Sequence, residues 1–470
     1  MNVSSVLKQL GLMITLIGGC ALLNSLFATL IGENDSARGF LLSGVLGCFL
    51  GASLIILLWD APKKTGAREG LLFVVSFWFL IPIIAAPPFW ASNVVETWLH
   101  ASFEAVSNLT TTGSSIGQEI QPISIRVWRA FLQFIGGVSG VVMAVVVLAA
   151  LNLSGPGVHR SHLLTLPKED LFGKIGRVSL TISIVYGALA IIGALAMAAS
   201  GVELIDALTR SVAAISTSNV LPNVAGAYAY SPFSVIILTI LLFVGATNIA
   251  LHADILRQNS WKVYIKDSET QILLLGVVVF TGLLCVFSQR VDLRFVSEAL
   301  SFISTSGMDV SGTEKVLDLL PQPIPDLFVF VGAAALSTAG GLKMTRVLVL
   351  LSRAFAEFKR LAFDHSTAEL RFQGRARTDN IVVGVWVYLI AYLGACILIG
   401  ILLSLTGLDL ELAFRSAIGS ISNTGPLVDV AFIDQDVSNF SIIVVSIGCI
   451  LGRIEVLALA PLFSGDFWRK

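Results

Sequence analysis

Ten apolar stretches punctuate this chain, near 11–31, 39–59, 70–90, 128–151, 178–200, 234–256, 271–288, 325–352, 381–406 and 440–463. Most approach the roughly 20 residues that a helix needs to cross a bilayer. From about residue 70 the order of polar and apolar segments repeats four times: apolar span, short amphipathic segment, hydroxyl-rich turn, apolar span. Residues 70–151, 178–256, 271–352 and 381–463 are these units, and the first two spans stand outside them. An internal repeat at this scale is architecture. The pattern therefore predicts an all-α polytopic membrane protein of about ten transmembrane helices. Four tandem helix–pore-loop–helix repeats surround one central pore, and two extra helices precede them. The expected boundaries are 1–66, 67–160, 161–262, 263–370 and 371–470.

The short segments align without a gap as EAVSNLTTTG, RSVAAISTSN, EALSFISTSG and SAIGSISNTG, at 104–113, 210–219, 298–307 and 416–425. Each opens with small and apolar residues suited to a short helix, too brief to cross at about 1.5 Å per residue. It must re-enter the side it left, unless the four are ordinary surface loops rich in Ser and Thr. Non-helical backbone at membrane depth is tolerated only where protein or a water-filled cavity surrounds it. Four re-entrant helices would point their partially negative C-terminal ends inward and favour a cation there.

The turns themselves are Thr110-Thr111-Thr112-Gly113, Ser216-Thr217-Ser218-Asn219, Ser304-Thr305-Ser306-Gly307 and Ser422-Asn423-Thr424-Gly425. A ring of main-chain carbonyls with a hydroxyl layer can replace the water lost by a monovalent cation, K⁺ above all. Glycine in the last position is expected to adopt positive φ. Asn219 either imitates that conformation or alters one corner of the ring and weakens discrimination against Na⁺.

Composition narrows the class. Hydrophobic residues make up 55% of the chain and charged residues only 13%, with mean hydropathy +0.86, against about 25% charged in soluble domains. The basic residues cluster in alternate loops: Lys63, Lys64 and Arg68; Arg160, Lys168, Lys174 and Arg177; Arg257, Lys262 and Lys266; and Arg353 through Arg377. The intervening loops lean acidic, with Glu33, Glu96, Asp309, Glu314, Asp429, Asp434 and Asp436 among them. The positive-inside rule then puts both termini in the cytoplasm and all four turns on the outer side. No basic run suggests nucleic acid. Cys20, Cys48, Cys285, Cys396 and Cys449 each sit in an apolar span and read as buried hydrophobes.

Two further features carry charge or flexibility to membrane depth. Ser337-Thr338-Ala339-Gly340-Gly341-Leu342-Lys343 interrupts the eighth span. Gly pairs mark kinks, so this is either a polar loop able to block a cavity or a close helix crossing, with Lys343 snorkelling outward. Arg453 lies within the last span, two residues before Glu455. It faces either a water-filled path or a structural partner. The histidines, including His159, His162 and His365, show no ligand spacing, and Gly155-Pro156-Gly157 is no phosphate loop. The chain reads as a cation pathway and not an enzyme, with no cofactor beyond the transported K⁺. An organic-solute transporter or membrane enzyme would need convergent titratable groups, and few exist beyond Lys343, Arg453 and Glu455.

The four turns, Ser337–Arg346 (STAGGLKMTR) and Leu451-Gly452-Arg453-Ile454-Glu455 together resemble the TrkH branch of the Trk/Ktr/HKT superfamily of potassium transporters. Arg68–Pro88, Gly136-Gly137 and the two leading spans are similar too. The resemblance covers most of the chain, and Asn219 departs from it. It implies four pore units around one pore, a homodimer in the bacterial inner membrane, and an intramembrane gating loop at Ser337–Lys343 faced by Arg453. It also implies a cytosolic nucleotide-binding ring of the TrkA type, expected to dock on 257–266 and 353–377.

Overall fold

The computed structural model describes residues 2–62, 65–118, 121–150, 171–220, 231–258, 260, 262–310, 316–362, 371–372, 375–376, 379–429, 432 and 438–468. Lys63, Lys64, Arg160, Lys168, Glu314, Arg377, Asp434, Asp436, His159, His162, His365 and the 155–157 turn lie outside the described residues.

Helices α1 (Val3–Leu30) and α2 (Asn34–Leu57) form a long antiparallel pair against the first unit. That unit comprises α3 (Ala67–Ala85), its short continuation α4 (Pro87–Ala91), α5 (Trp98–Leu109) and α6 (Ile123–Ala150). The second has α7 (Leu171–Ala199), α8 (Leu204–Ile215), α9 (Pro232–Ala246), α10 (Ile249–Gln258) and α11 (Lys262–Lys266). The third has α12 (Ser268–Ser288), α13 (Arg294–Ile303), α14 (Val316–Leu319), α15 (Pro323–Val331) and α16 (Met344–Ala362). A two-residue antiparallel hairpin, Arg371–Phe372 with Arg375–Ala376, precedes the fourth. The fourth has α17 (Asp379–Ser404), α18 (Leu410–Ser422), α19 (Gly425–Asp429), α20 (Asn439–Ile454), a 3₁₀ stretch at Val456–Phe463 and α21 (Gly465–Trp468).

Among the described residues seven helices are long and apolar enough to cross a membrane, and α9 and α20 are shorter apolar helices. Local chemistry fixes several starts. Ser231 and Ser438 accept from Ser234 N and Ser441 N at 3.2 and 3.1 Å, and Asp267 Oδ2 accepts from Thr270 N at 2.9 Å, each relieving an orphan N–H of the first turn. A left-handed residue leads from each first span toward the short helix: Asn93, Gly201, Gln289 and Gly407, with φ of 56°, 97°, 53° and 94°.

Three spans differ from the sequence expectation; that at 440–463 is α-helical only to Ile454, after which Glu455 turns to φ 59° and a 3₁₀ stretch follows. The stretch at 234–256 is not one helix, because Thr247 is extended (φ −85°, ψ 161°) and splits α9 from α10. The stretch at 325–352 stops at Val331 and resumes only at Met344, in keeping with the polar interruption in its sequence.

Candidate ion-binding site

The four short helices α5, α8, α13 and α18 have 12, 12, 10 and 13 residues, about 15–20 Å each. All end in the same way. The third turn residue donates its N–H five residues back: Thr112 to Ser107 O (2.8 Å), Ser218 to Ala213 O (2.9 Å), Ser306 to Ser301 O (3.0 Å) and Thr424 to Gly419 O (2.8 Å). The second turn residue is left-handed in every copy: Thr111, Thr217, Thr305 and Asn423, at φ 57°, 49°, 61° and 56°. Helices commonly stop on such a residue, but it is usually glycine. Three β-branched threonines there are outliers, of the kind that gathers at functional sites.

The expectation of positive φ in the last position needs correcting. Among the four, only Gly113 (71°) and Gly307 (63°) have it; Asn219 does not imitate them, and Gly425 does not need to. Gly425 opens α19, and a Cβ on it would lie 2.6 Å from Thr112 O. It is glycine for closeness, not for handedness.

The turns meet in chain order. A Cβ on Gly113 would lie 2.5 Å from Asn219 O, joining the first turn to the second. Ser306 Oγ donates to Ser218 O at 2.6 Å, joining the third to the second. A Cβ on Gly307 would meet the Pro426 ring at 2.6 Å, and Asn423 Nδ2 donates to Thr112 Oγ1 at 3.2 Å, closing the fourth turn on the first. Asn219 keeps its place because Gln133 Nε2 donates to its carbonyl at 3.0 Å and to Asn108 Oδ1 at 2.9 Å. Asn423 Oδ1 and Thr424 Oγ1 are buried without a hydrogen-bond partner. The Asn423 amide lies against α20, its Nδ2 donating to Cys449 O at 2.9 Å and its Oδ1 within 2.8 Å of a Cβ built on Gly452.

A second fourfold feature lies behind the turns. Phe134-Ile135-Gly136-Gly137, Phe243-Val244-Gly245-Ala246, Phe330-Val331-Gly332-Ala333 and Ile450-Leu451-Gly452-Arg453 align at the same point of each unit. Only the first and last stand out singly in the sequence; laying the second spans on one another finds all four. A Cβ on Gly136, Gly245 or Gly452 would lie 1.7, 2.5 or 2.1 Å from the carbonyl of Leu109, Ile215 or Ile421, the residue just before each turn. In the third unit Gly332 instead turns left-handed (φ 69°), and α15 ends there.

The polar loop begins at that break. Leu342 N and Lys343 N return to Phe330 O and Val331 O at 2.9 and 3.0 Å, satisfying the carbonyls at the broken end. The loop touches three of the turns or their neighbours. Gly340 N donates to Thr305 Oγ1 at 2.7 Å, and a Cβ on Gly340 would overlap Ser422 O. Thr338 Oγ1 donates to Ile215 O at 3.1 Å. Arg453 adds the remaining turn: Nε donates to Thr110 O and Nη1 to Thr338 O, both at 2.6 Å, and Nη2 to Thr111 Oγ1. The Arg453–Glu455 pair does not form, since Glu455 binds Arg346 at 2.5 Å. Lys343 does not snorkel; its ammonium folds back on Ser337 O (3.4 Å) and Ala339 O.

Carboxylates flank the other side of the turns. Glu104 is fully buried and binds Arg129 at 2.7 Å, while accepting from Ser115 Oγ, Ile116 N and Gly117 N at 2.6, 3.0 and 3.2 Å. Asp429, on the limb leaving the fourth turn, accepts from Ser114 Oγ (2.6 Å) and Ser115 N (3.3 Å). Burial pushes its carboxyl up to about 7, against the lowering effect of these bonds and of Arg129.

The family model described as "TrkH: Cation transport protein" matches residues 39–307 and 327–470. The chain is 29% identical over 492 residues to the Trk system potassium uptake protein TrkH of Salmonella typhimurium, covering 100% of both chains. It is 28% identical over 495 residues to the TrkH of Escherichia coli, again covering 100% of both. It superposes on the crystal structure of the potassium transporter TrkH from Vibrio parahaemolyticus with a TM-score of 0.86 and 26% identity, covering 100% of each chain.

Proposed function

This chain belongs to the TrkH family of cation transport proteins, and we propose that it takes up K⁺ through the ring made by its four turns. In this reading the inner membrane of a bacterium is crossed with both termini in the cytoplasm. The membrane potential then drives uptake with roughly 2.3 kcal/mol per charge per 100 mV. The observation that carries the proposal is the closed order of contacts, first turn to second, second to third, third to fourth and fourth back to first. Main-chain and hydroxyl oxygens of Thr110–Gly113, Ser216–Asn219, Ser304–Gly307 and Ser422–Gly425 would replace the water of the ion. Loop 337–343 and Arg453 form the gate beneath them, because Arg453 bridges the first turn to the loop.

The relatives are named as members of a Trk system. We assign this chain the same setting: a homodimer with one pore per subunit, controlled by a nucleotide-binding ring docking on the basic loops 257–266 and 353–377. The test is Rb⁺ uptake by a bacterium lacking its own potassium import. The chain should restore uptake, and Gly113→Asp, Gly307→Asp and Gly425→Asp should each abolish it; intact uptake in all three removes the filter assignment. Replacing Arg453 with Ala should raise resting flux.

A second reading keeps the fold and admits Na⁺. It rests on Asn219, the one turn ending without glycine. Competition of Rb⁺ uptake by K⁺, Na⁺ and Cs⁺ separates the two. Under the first reading Na⁺ competes poorly, and under the second Asn219→Gly raises K⁺ preference.

A further inference from the structure

The break in the second unit exposes backbone groups, and these are not left to water. Thr338 N donates to Gly245 O at 3.2 Å, and its hydroxyl, 3.0 Å from the same carbonyl, shares its one proton between Gly245 O and Ile215 O. Ala334 N donates to Ala246 O at 3.2 Å, and Ile249 N donates to Leu336 O at 2.9 Å. The last carbonyls of α9 and the first N–H of α10 thus pair with the 334–338 limb of the third unit's loop. Continuing α9 unbroken would use these groups within the helix and free that limb.

A buried carboxylate holds the same limb from its other side. Glu269, in the first turn of α12 and 2% exposed, accepts from Ala335 N at 3.2 Å and from Thr345 Oγ1 at 2.6 Å. One side chain therefore grips both the start of the loop and the start of α16 beyond it, and Asn248 faces it from the break. The described residues between break and carboxylate are tied to their neighbours. Asn248 Oδ1 caps α10 through Ala250 N at 3.0 Å. His252 reaches Tyr264 of α11 at 2.6 Å and Val244 O of α9 at 3.1 Å. Movement of α10 and α11 cannot leave both grips on the loop unchanged.

We propose that Glu269 and the break at Thr247–Asn248 are positioning elements for the third unit's loop. They hold it across the ion path, and displacement of α10 and α11 releases it. The proposal rests on the reading of 337–343 as the gate and adds how that gate is kept shut. The second unit would then govern flux through a loop that belongs to the third.

The decisive variants are Ile249→Pro and Ile249→Ala in the purified full-length chain, reconstituted in proteoliposomes with Rb⁺ flux as the readout. Proline at the first position of a helix is well tolerated, so Ile249→Pro removes the N–H that reaches Leu336 and little else of α10. Losing one hydrogen bond should raise resting flux about threefold to tenfold. Ile249→Ala, which keeps the N–H, should not. Equal flux in Ile249→Pro and the unaltered chain, or an equal rise in both variants, overturns the latch.

Should Ile249→Pro fail to fold, Glu269→Gln carries the same expectation, a rise in flux. Its effect should vanish when Ala339–Leu342 is already deleted. An equal rise with and without the deletion overturns it, because the carboxylate then acts apart from the loop. The deletion alone separates the two claims: a rise with it but not with Ile249→Pro or Glu269→Gln removes only the latch. Unchanged flux with the deletion removes the gate itself, and the latch with it.

Discussion

Units one and three leave their turns differently from units two and four. In the first pair the helix winds one residue further: Gly113 N and Gly307 N each donate to the Ser107 and Ser301 carbonyls at 3.1 Å. Those two serines also reach forward, Oγ to Ser114 O and to Met308 O, both at 2.7 Å. A glutamate at the head of each decapeptide, Glu104 or Glu298, then ties down the departing chain, the latter through Val310 N at 3.1 Å. In the second pair Arg210 and Ser416 occupy that head position, and Asn219 and Gly425 leave without a left-handed step. The ion pairs between units follow the same alternation. Arg126 joins the first unit to Asp206 of the second at 2.6 Å, and Asp326 joins the third to Arg415 of the fourth at 3.2 Å. Fourfold sequence repetition has produced a ring whose alternate corners are built by different means. All corners share the left-handed second residue and the bond from the third residue to the carbonyl five positions back.

The sharpest break of this comparison is Gly→Ala. At Gly113 and Gly307 alanine meets both a left-handed backbone, costing about 1–2 kcal/mol, and a close neighbour. Rb⁺ uptake should fall at least tenfold in both. At Gly425 only close contacts with Thr112 O, Ser114 N and Gly113 C oppose it, with no left-handed backbone, so the loss should be smaller; equal losses would erase the distinction between corners.

Next in size is Glu104→Ala, which leaves the buried Arg129 without its carboxylate, a change worth about 3–5 kcal/mol. It should lower the melting temperature of the purified protein. Glu104 accepts three hydrogen bonds from the departing chain besides its ion pair.

A third test is pH. The Asp429 carboxyl is raised to about 7 by burial, so in the folded protein it stays protonated where the unfolded chain is already ionised. Its stabilising contribution is complete below pH ~4 and is lost as pH rises through about 7. Stability should therefore fall between pH ~4 and ~7 and level off above that, and Asp429→Asn should flatten that slope. The smallest effect is expected of Asn219→Gly, which keeps the carbonyl held by Gln133 and should change ion preference by less than about twofold, or roughly 0.4 kcal/mol.

Much of this is legible in the chain. Spans follow from apolar length, and the four turns from alignment; the gap at 337–343 announces itself by two glycines and a lysine inside an apolar run. The break at Thr247–Asn248 is not legible, because no Pro or Gly pair marks it. It depends on partners in another unit, Leu336 and Ala334, which local sequence cannot supply. The left-handed position is hidden for a related reason. Glycine signals conformational freedom, yet the strain falls on Thr111, Thr217 and Thr305, where surrounding contacts and not intrinsic preference decide. The bonds of Arg453 to the first turn are also out of reach, since Thr110 is separated from it by 343 residues.

The glycines Gly136, Gly245 and Gly452 bring helix backbone directly onto the carbonyl before a turn. No rotamer intervenes at those three supports, so the distance from helix to turn is fixed by main-chain thickness. Residues elsewhere on the same helices are then free to vary in bulk without moving the turns, while any methyl added at these points would displace one of them.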